Sequence, residues 1–166
     1  GNTNYYTGQY FDMAYITQLA HSKGCKVGFD CAHGAGNIPL NLHEAGPDFA
    51  VWCTYKYLNS GPGSVGAAFV HERHADNPTL PRFEGWWGHN KQTRFIMRDD
   101  FEPIYGVEAW QLSNPPILSL AAIKASLELF EEAGIENLRN KSIKLTAYFE
   151  ALLKEIPGDD ISIITP

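Results

Sequence analysis

Two nearly continuous apolar runs, Phe49-Ala50-Val51-Trp52-Cys53-Thr54 and Val65 to Val70, constrain the fold of this chain more than any other feature. Runs of this kind suit strands covered on both faces, because neither side of the pleat meets water. A third strand, Cys25-Lys26-Val27-Gly28-Phe29-Asp30, precedes them and ends in an acid. Before it, Phe11, Tyr15, Ile16 and Leu19 fall at helical spacing over residues 11–23, with Asp12 as a cap and Gly24 as a stop. A short helical turn is expected around 40–45. Helix and strands joined by short loops make an α/β layer, not a sandwich or a bundle.

Residues 71–115 are polar, weakly periodic and rich in Pro, Trp and Arg, which marks a long functional excursion rather than a linker. Residues 116–133 read as a helix with Leu118, Ala121, Ala122, Ala125, Leu129 and Phe130 on one face. Gly134 breaks it, and a second helix covers about 135–155. Pro157-Gly158 closes that helix, and Ile161-Ser162-Ile163-Ile164 begins another strand. With no initiator Met and a strand-like run at the very end, the 166 residues read as a segment of a larger enzyme.

Composition narrows the partners. At 44% hydrophobic residues the chain can build an ordinary domain core. Its net charge of −6 opposes the phosphate backbone, so nucleic acid is excluded as a partner. No stretch approaches the roughly 18 apolar residues of a membrane span, so no membrane partner is expected. Cys25, Cys31 and Cys53 lack a CxxC pair and sit among apolar neighbours. They read as free core thiols of a reducing, cytoplasmic compartment, with no metal framework.

Asp30 ends one strand, and Lys56 follows the end of a later one, 26 residues on. That edge of an open α/β sheet is where ligands bind. The chemistry that needs both groups is a pyridoxal 5'-phosphate (PLP) site. There the lysine makes a Schiff base, and the aspartate keeps the pyridinium nitrogen protonated so that the ring accepts electrons. On spacing alone, an ordinary strand-end acid and a surface lysine fit equally well. Tyr55 and Tyr57 lie on opposite sides of a strand-like extension, so one of them can face the site and donate to a phosphate. His33 sits in a small-residue loop three residues past Asp30, within reach of the ring or its O3′; pairing with backbone is the alternative. Ser60-Gly61-Pro62-Gly63 offers backbone N–H groups to a phosphate.

Asp30-Cys31-Ala32-His33, Thr54 to Gly63, Gly85-Trp86-Trp87-Gly88-His89 and Ser113-Asn114-Pro115-Pro116-Ile117 together resemble the kynureninases, and Tyr5-Tyr6-Thr7-Gly8-Gln9 fits too. These are PLP-dependent hydrolases close to the class V aminotransferases. The resemblance implies an α/β chain of the PLP-dependent transferase type I fold. Residues 1–133 would be the C-terminal half of the PLP-binding large domain, in the central part of its sheet. Residues 134–166 would be a linking helix and the start of the small C-terminal α+β domain.

The implied reaction is hydrolytic Cβ–Cγ cleavage of L-kynurenine, or its 3-hydroxy form, to anthranilate or 3-hydroxyanthranilate and L-alanine, a step of tryptophan degradation toward NAD. Carried over by residue, Lys56 is the Schiff-base lysine, Asp30 the pyridinium partner and His33 a cofactor contact. Tyr55 is a phosphate ligand and a candidate for activating water, and Ser113 is a substrate contact. Trp86 and Asn114 match positions that reach the cofactor phosphate across a homodimer interface. The arginine expected to clamp the substrate carboxylate matches none of the five present. Another fold type I enzyme (an aminotransferase or a cysteine desulfurase) and a non-catalytic α/β dimerisation segment are the rival readings.

Overall fold

The computed structural model describes residues 1–158 and 161–166. Three strands form one sheet in the order β1 (Gly28–Asp30), β2 (Phe49–Trp52) and β3 (Ala67–Val70). β1 and β2 are parallel, with Asp30 opposite Val51, and β3 runs antiparallel to β2, with Trp52 opposite Ala67. The parallel pair is what matters for function. It brings the carboxyl ends of β1 and β2 to the same edge, so Asp30 and the turn carrying Lys56 emerge side by side.

Helix α1 (Met13–His21) starts where the Asp12 carboxylate accepts the Tyr15 N–H at 3.0 Å. The crossover from β1 to β2 contains α2 (Leu42–Ala45), which ends at Gly46 in the left-handed region. Met13, Val27, Phe29, Cys31, Leu42 and Ala50 form the core, and Trp52 and Phe69 pack against it. The buried stripe of α1 is Met13 and Thr17, not the expected Tyr15 and Leu19, which face outward.

The strands are shorter than the apolar runs. Val27 lies outside β1 because its N–H donates to the Asp48 carboxylate at 2.7 Å instead of to a ladder partner. Nor are both sheet faces covered among the described residues. β2 buries Ala50, but Phe49 is 47% and Val51 45% exposed. These two face an apolar cavity of ≈ 640 Å³ walled also by Ala68, Val70, Leu80 and Trp110.

Asp48 pins the elements under this sheet. Its buried carboxylate accepts the Val27 N–H and meets His74 Nε2 at 2.7 Å, His21 Nε2 at 3.0 Å and Lys26 Nζ at 3.4 Å. Burial alone raises the pKa of such an acid. The Val27 N–H, the two imidazoles and Lys26 outweigh it and hold the carboxyl well below the usual range. One side chain thus joins α1, the approach to β1, the start of β2 and the 3₁₀ turn Glu72–His74.

Beyond the excursion, α3 (Ile117–Ala133) and α4 (Ile135–Lys154) meet at Gly134, which has φ +75°. Their expected apolar faces lie mostly in the open. Leu118 and Leu129 are exposed, Ser126 is the single buried residue of α3, and α4 buries none. The strand expected at Ile161–Ile164 does not form, since a β-prone run needs a ladder and no described strand lies beside it. The 134–166 span also includes residues 159 and 160, which fall outside the described residues. Of the three expected core thiols only Cys31 is buried; Cys25, just past the turn that follows α1, is exposed. No helix among the described residues is long and apolar enough to cross a membrane.

Candidate active site

The loop after β1 is shaped by close backbone approach. The Ala32 N–H donates to Asp30 Oδ1 at 2.8 Å, and Oδ2 has no hydrogen-bond partner among the described residues. A Cβ on Gly34 would lie 2.3 Å from Asn2 Nδ2, so only glycine lets the buried Asn2 pass. Asn2 donates its backbone N–H to the Asp30 carbonyl at 2.9 Å, which lays residues 1–5 along the site. Burial, and then the neighbouring Asp30 charge, push the Cys31 thiol up to about 11. Cys31 is therefore a packing residue and not a nucleophile.

Lys56 reaches back from the turn after β2, with Nζ 2.9 Å from His33 Nε2. Asp30, His33 and Lys56 line one cavity of ≈ 490 Å³ together with Thr3, Asn4, Tyr5 and Phe11. Its size falls within the roughly 300–1,000 Å³ of small-molecule sites. The rings of Tyr5 and Tyr57 flank His33 at centroid distances of 6.4 and 5.9 Å. Tyr55 lines a separate cavity of ≈ 580 Å³, in which Asp30 and Lys56 also take part. The two tyrosines thus face different sides as expected, although residues 54–58 form bends and a turn, not an extended strand. The turn at Ser60-Gly61-Pro62-Gly63 lines neither cavity.

Thr3 Oγ1 is buried in the wall of the first cavity without a hydrogen-bond partner among the described residues. An orphan hydroxyl, a free carboxylate oxygen and an amine beside an imidazole suit a small molecule carrying a carbonyl, a ring nitrogen and anionic oxygens. Pyridoxal phosphate carries all of these, and the residues present fit it. No group of three or more His, Cys, Asp or Glu among the described residues could hold a metal ion.

Trp86, Ser113 and Asn114 form a second locality, outside both cavities. Gly85 and Gly88 lie so close to the 107–112 segment that added Cβ atoms would meet Leu112 Cα at 2.2 Å and the Ala109 carbonyl oxygen at 2.7 Å. The glycines of Gly-Trp-Trp-Gly therefore bind this motif to the stretch leading into Ser113. The Ser113 hydroxyl donates to Asn114 Oδ1 at 3.1 Å, and both residues are exposed. Trp86 packs edge-on against Trp87 at 5.2 Å. Arg94 stands over the two rings at 5.6 and 5.3 Å and donates to the Trp87 and His89 carbonyls. Neither Arg94 nor the wall residues Thr3 and Tyr5 were assigned roles from sequence. Tyr5 lies in a stretch singled out there, whereas nothing in the spacing signals Arg94.

The carboxyl edge of the parallel strand pair carries an acid and a lysine, and the chain belongs to the aminotransferase class-V family, whose profile matches residues 2–165. Kynureninases are among its relatives. It is 63% identical to the kynureninase of Myxococcus xanthus over 166 residues, which are all of this chain and 39% of that protein. It is 58% identical to the kynureninase of Koribacter versatilis over the same span and 59% to that of Stenotrophomonas maltophilia over 162 residues. The chain spans 38–39% of the length of these three relatives.

Among solved structures it is similar to a cysteine desulfurase from Escherichia coli, with TM-score 0.73 and 23% identity over 95% of this chain and 38% of that one. The apo cysteine desulfurase of Thermococcus onnurineus matches with TM-score 0.73 and 19% identity over 93% of this chain and 37% of that one. At such identities the likeness defines the fold alone.

Proposed function

We propose that these residues belong to a kynureninase, which hydrolyses the Cβ–Cγ bond of L-kynurenine or 3-hydroxykynurenine to release L-alanine and anthranilate or its 3-hydroxy form. The observation that carries the reading is the convergence of Asp30, His33 and Lys56 on one cavity in a chain 63% identical to a kynureninase along its whole length. When bound, pyridoxal phosphate supplies an electron-accepting ring beside the substrate's amino group. Lys56 anchors that cofactor, then takes a proton from the substrate Cα and returns it. Asp30 turns its free oxygen to the ring nitrogen and holds the proton there. His33 keeps the Lys56 amine directed into the cavity. Tyr55 donates to the phosphate from the neighbouring cavity and is the candidate for activating water, and Ser113 contacts the substrate.

The three unpaired cysteines are consistent with a cytoplasmic enzyme. Incubating the full-length protein with kynurenine tests the reading. Anthranilate fluorescence and stoichiometric alanine are expected; transamination of kynurenine, or sulfur release from cysteine, would replace it with a rival activity.

The working form in this reading is a homodimer with shared sites. Trp86 and Asn114 lie outside the Lys56 cavity of their own chain, so the proposed role needs Trp86 of the partner subunit and Asn114 of the partner subunit. Mixing inactive chains checks this. One chain carries Lys56→Ala, and the other carries changes at Trp86 and Asn114. The mixed dimer should then contain one intact site and recover roughly half the activity of one wild-type dimer. Verified mixed dimers that stay inactive would assign both residues to their own chain or to no site.

A further inference from the structure

Helix α3 leaves Leu118 and Leu129 exposed and buries one serine. At that point it is held to the body by a polar contact, not by apolar burial. The Ser126 hydroxyl donates to the carbonyl of Leu58, two residues beyond Lys56. The other side of the same stretch is closed by Gly36. A Cβ there would lie 2.8–2.9 Å from the Tyr57 carbonyl and the Leu58 nitrogen, and Gly36 has φ +79°, so the position requires glycine. The Tyr57–Leu58 peptide is therefore gripped between the loop that carries His33 and helix α3.

The turn itself is tied on the Lys56 side. Asn59 N–H donates to the Lys56 carbonyl at 3.0 Å, and Ser60 N–H donates to the Thr54 carbonyl at 3.1 Å. Asn59 adopts φ +56°, which sets the reversal. A cavity of ≈ 1040 Å³ beside the grip is lined by Lys56, Tyr57, Ser126, Leu129 and Lys141. Ser126 makes the one hydrogen bond between α3 and the lysine turn among the described residues.

We propose that Ser126 is a positioning residue: through the Leu58 carbonyl it sets the direction of the Lys56 amine toward His33 and passes the placement of α3 on to the candidate active site. The inference rests on Lys56 being the cofactor-bearing lysine. A shift of α3 that draws the Leu58 carbonyl with it would rotate the turn and move Nζ away from the 2.9 Å contact with His33. A misplacement of about 1 Å at a reacting group can cost on the order of a hundredfold in rate, so the tether is expected to show in catalysis.

The test uses the full-length PLP-loaded protein with Ser126→Ala and Ser126→Cys, the latter keeping a weaker donor in place. In Ser126→Ala the pH midpoint of the ~420 nm absorbance should move by about half a unit or more, because the amine's surroundings change. Turnover should fall about tenfold or more with KM within about twofold. In the cofactor-free full-length protein the amides of Asn59 and Ser60 should exchange about tenfold faster. Ser126→Cys should fall between wild type and Ala in each measurement, and it decides the matter if Ser126→Ala does not fold. A variant that melts earlier but keeps the wild-type pH midpoint and turnover would reduce Ser126 to a packing contact. Borohydride reduction separates the two levels. Wild type without a trapped adduct on Lys56 overturns the reading of the lysine and this inference with it; a trapped adduct with unchanged variants overturns this inference alone.

Discussion

Replacing Lys56 by Ala in the full-length protein is expected to abolish the borohydride-trapped adduct and to lower turnover by at least about 10³-fold. The size follows from what the side chain has to do. One amine anchors the cofactor and also moves the α-proton, and no other lysine lines the cavity that holds Asp30 and His33. The rival is Lys141 on α4, which lines the adjoining cavity together with Lys56. Asp30 does not line that cavity, so Lys141 lacks the acid that makes the ring an electron sink. Lys56 makes its one side-chain hydrogen bond with His33, so its removal should leave the fold intact, as circular dichroism and melting would report. Peptide mapping after reduction is the discriminating measurement. An adduct on Lys141 with activity retained would show that the 26-residue spacing from Asp30 is incidental.

That spacing was legible because it reflects a local rule. Two parallel strands joined by a short crossover must end at the same edge, so an acid closing the first and a lysine following the second come together whatever packs around them. The start of α1 was legible for a similar reason, since Asp12 caps it with its own carboxylate. Features set by distant segments were not. Asp48 draws its partners from residues 21, 26, 27 and 74, and nothing in the residues around it announces a buried anion. Ser126 looks like a polar interruption in an apolar stripe, and its role depends on a carbonyl 68 positions away. Periodicity also overstates burial. Phe49, Val51, Leu118 and Leu129 mark surfaces suited to being covered, and the described residues leave them open. For Trp86 and Asn114 the glycines beside Trp86 show how the motif is tied to the 107–112 segment, and the proposed shared site puts its ligand on another copy.

Asp30→Asn is expected to leave the loop standing and to lower kcat by about 10²-fold or more. Both halves of that expectation come from the two carboxylate oxygens. Oδ1 accepts the Ala32 N–H at 2.8 Å, a bond that an asparagine oxygen can keep, so the turn into His33 should persist and some cofactor should still bind. Oδ2 is the oxygen left for the ring nitrogen, and its replacement by an amide NH₂ removes the negative charge and presents a donor where an acceptor is needed. A carboxylate that stabilises a buried cation contributes several kcal/mol where charge develops, and each tenfold in rate corresponds to about 1.4 kcal/mol. The charge is already felt one residue away, where Asp30 adds to burial in raising the Cys31 thiol. The variant thus changes charge with little change in shape, which makes kcat at saturating cofactor the quantity to compare. A drop smaller than about tenfold, with normal folding and cofactor content, would leave Asp30 as a strand-end acid that caps its own loop, and the electron-sink role would have to be sought elsewhere.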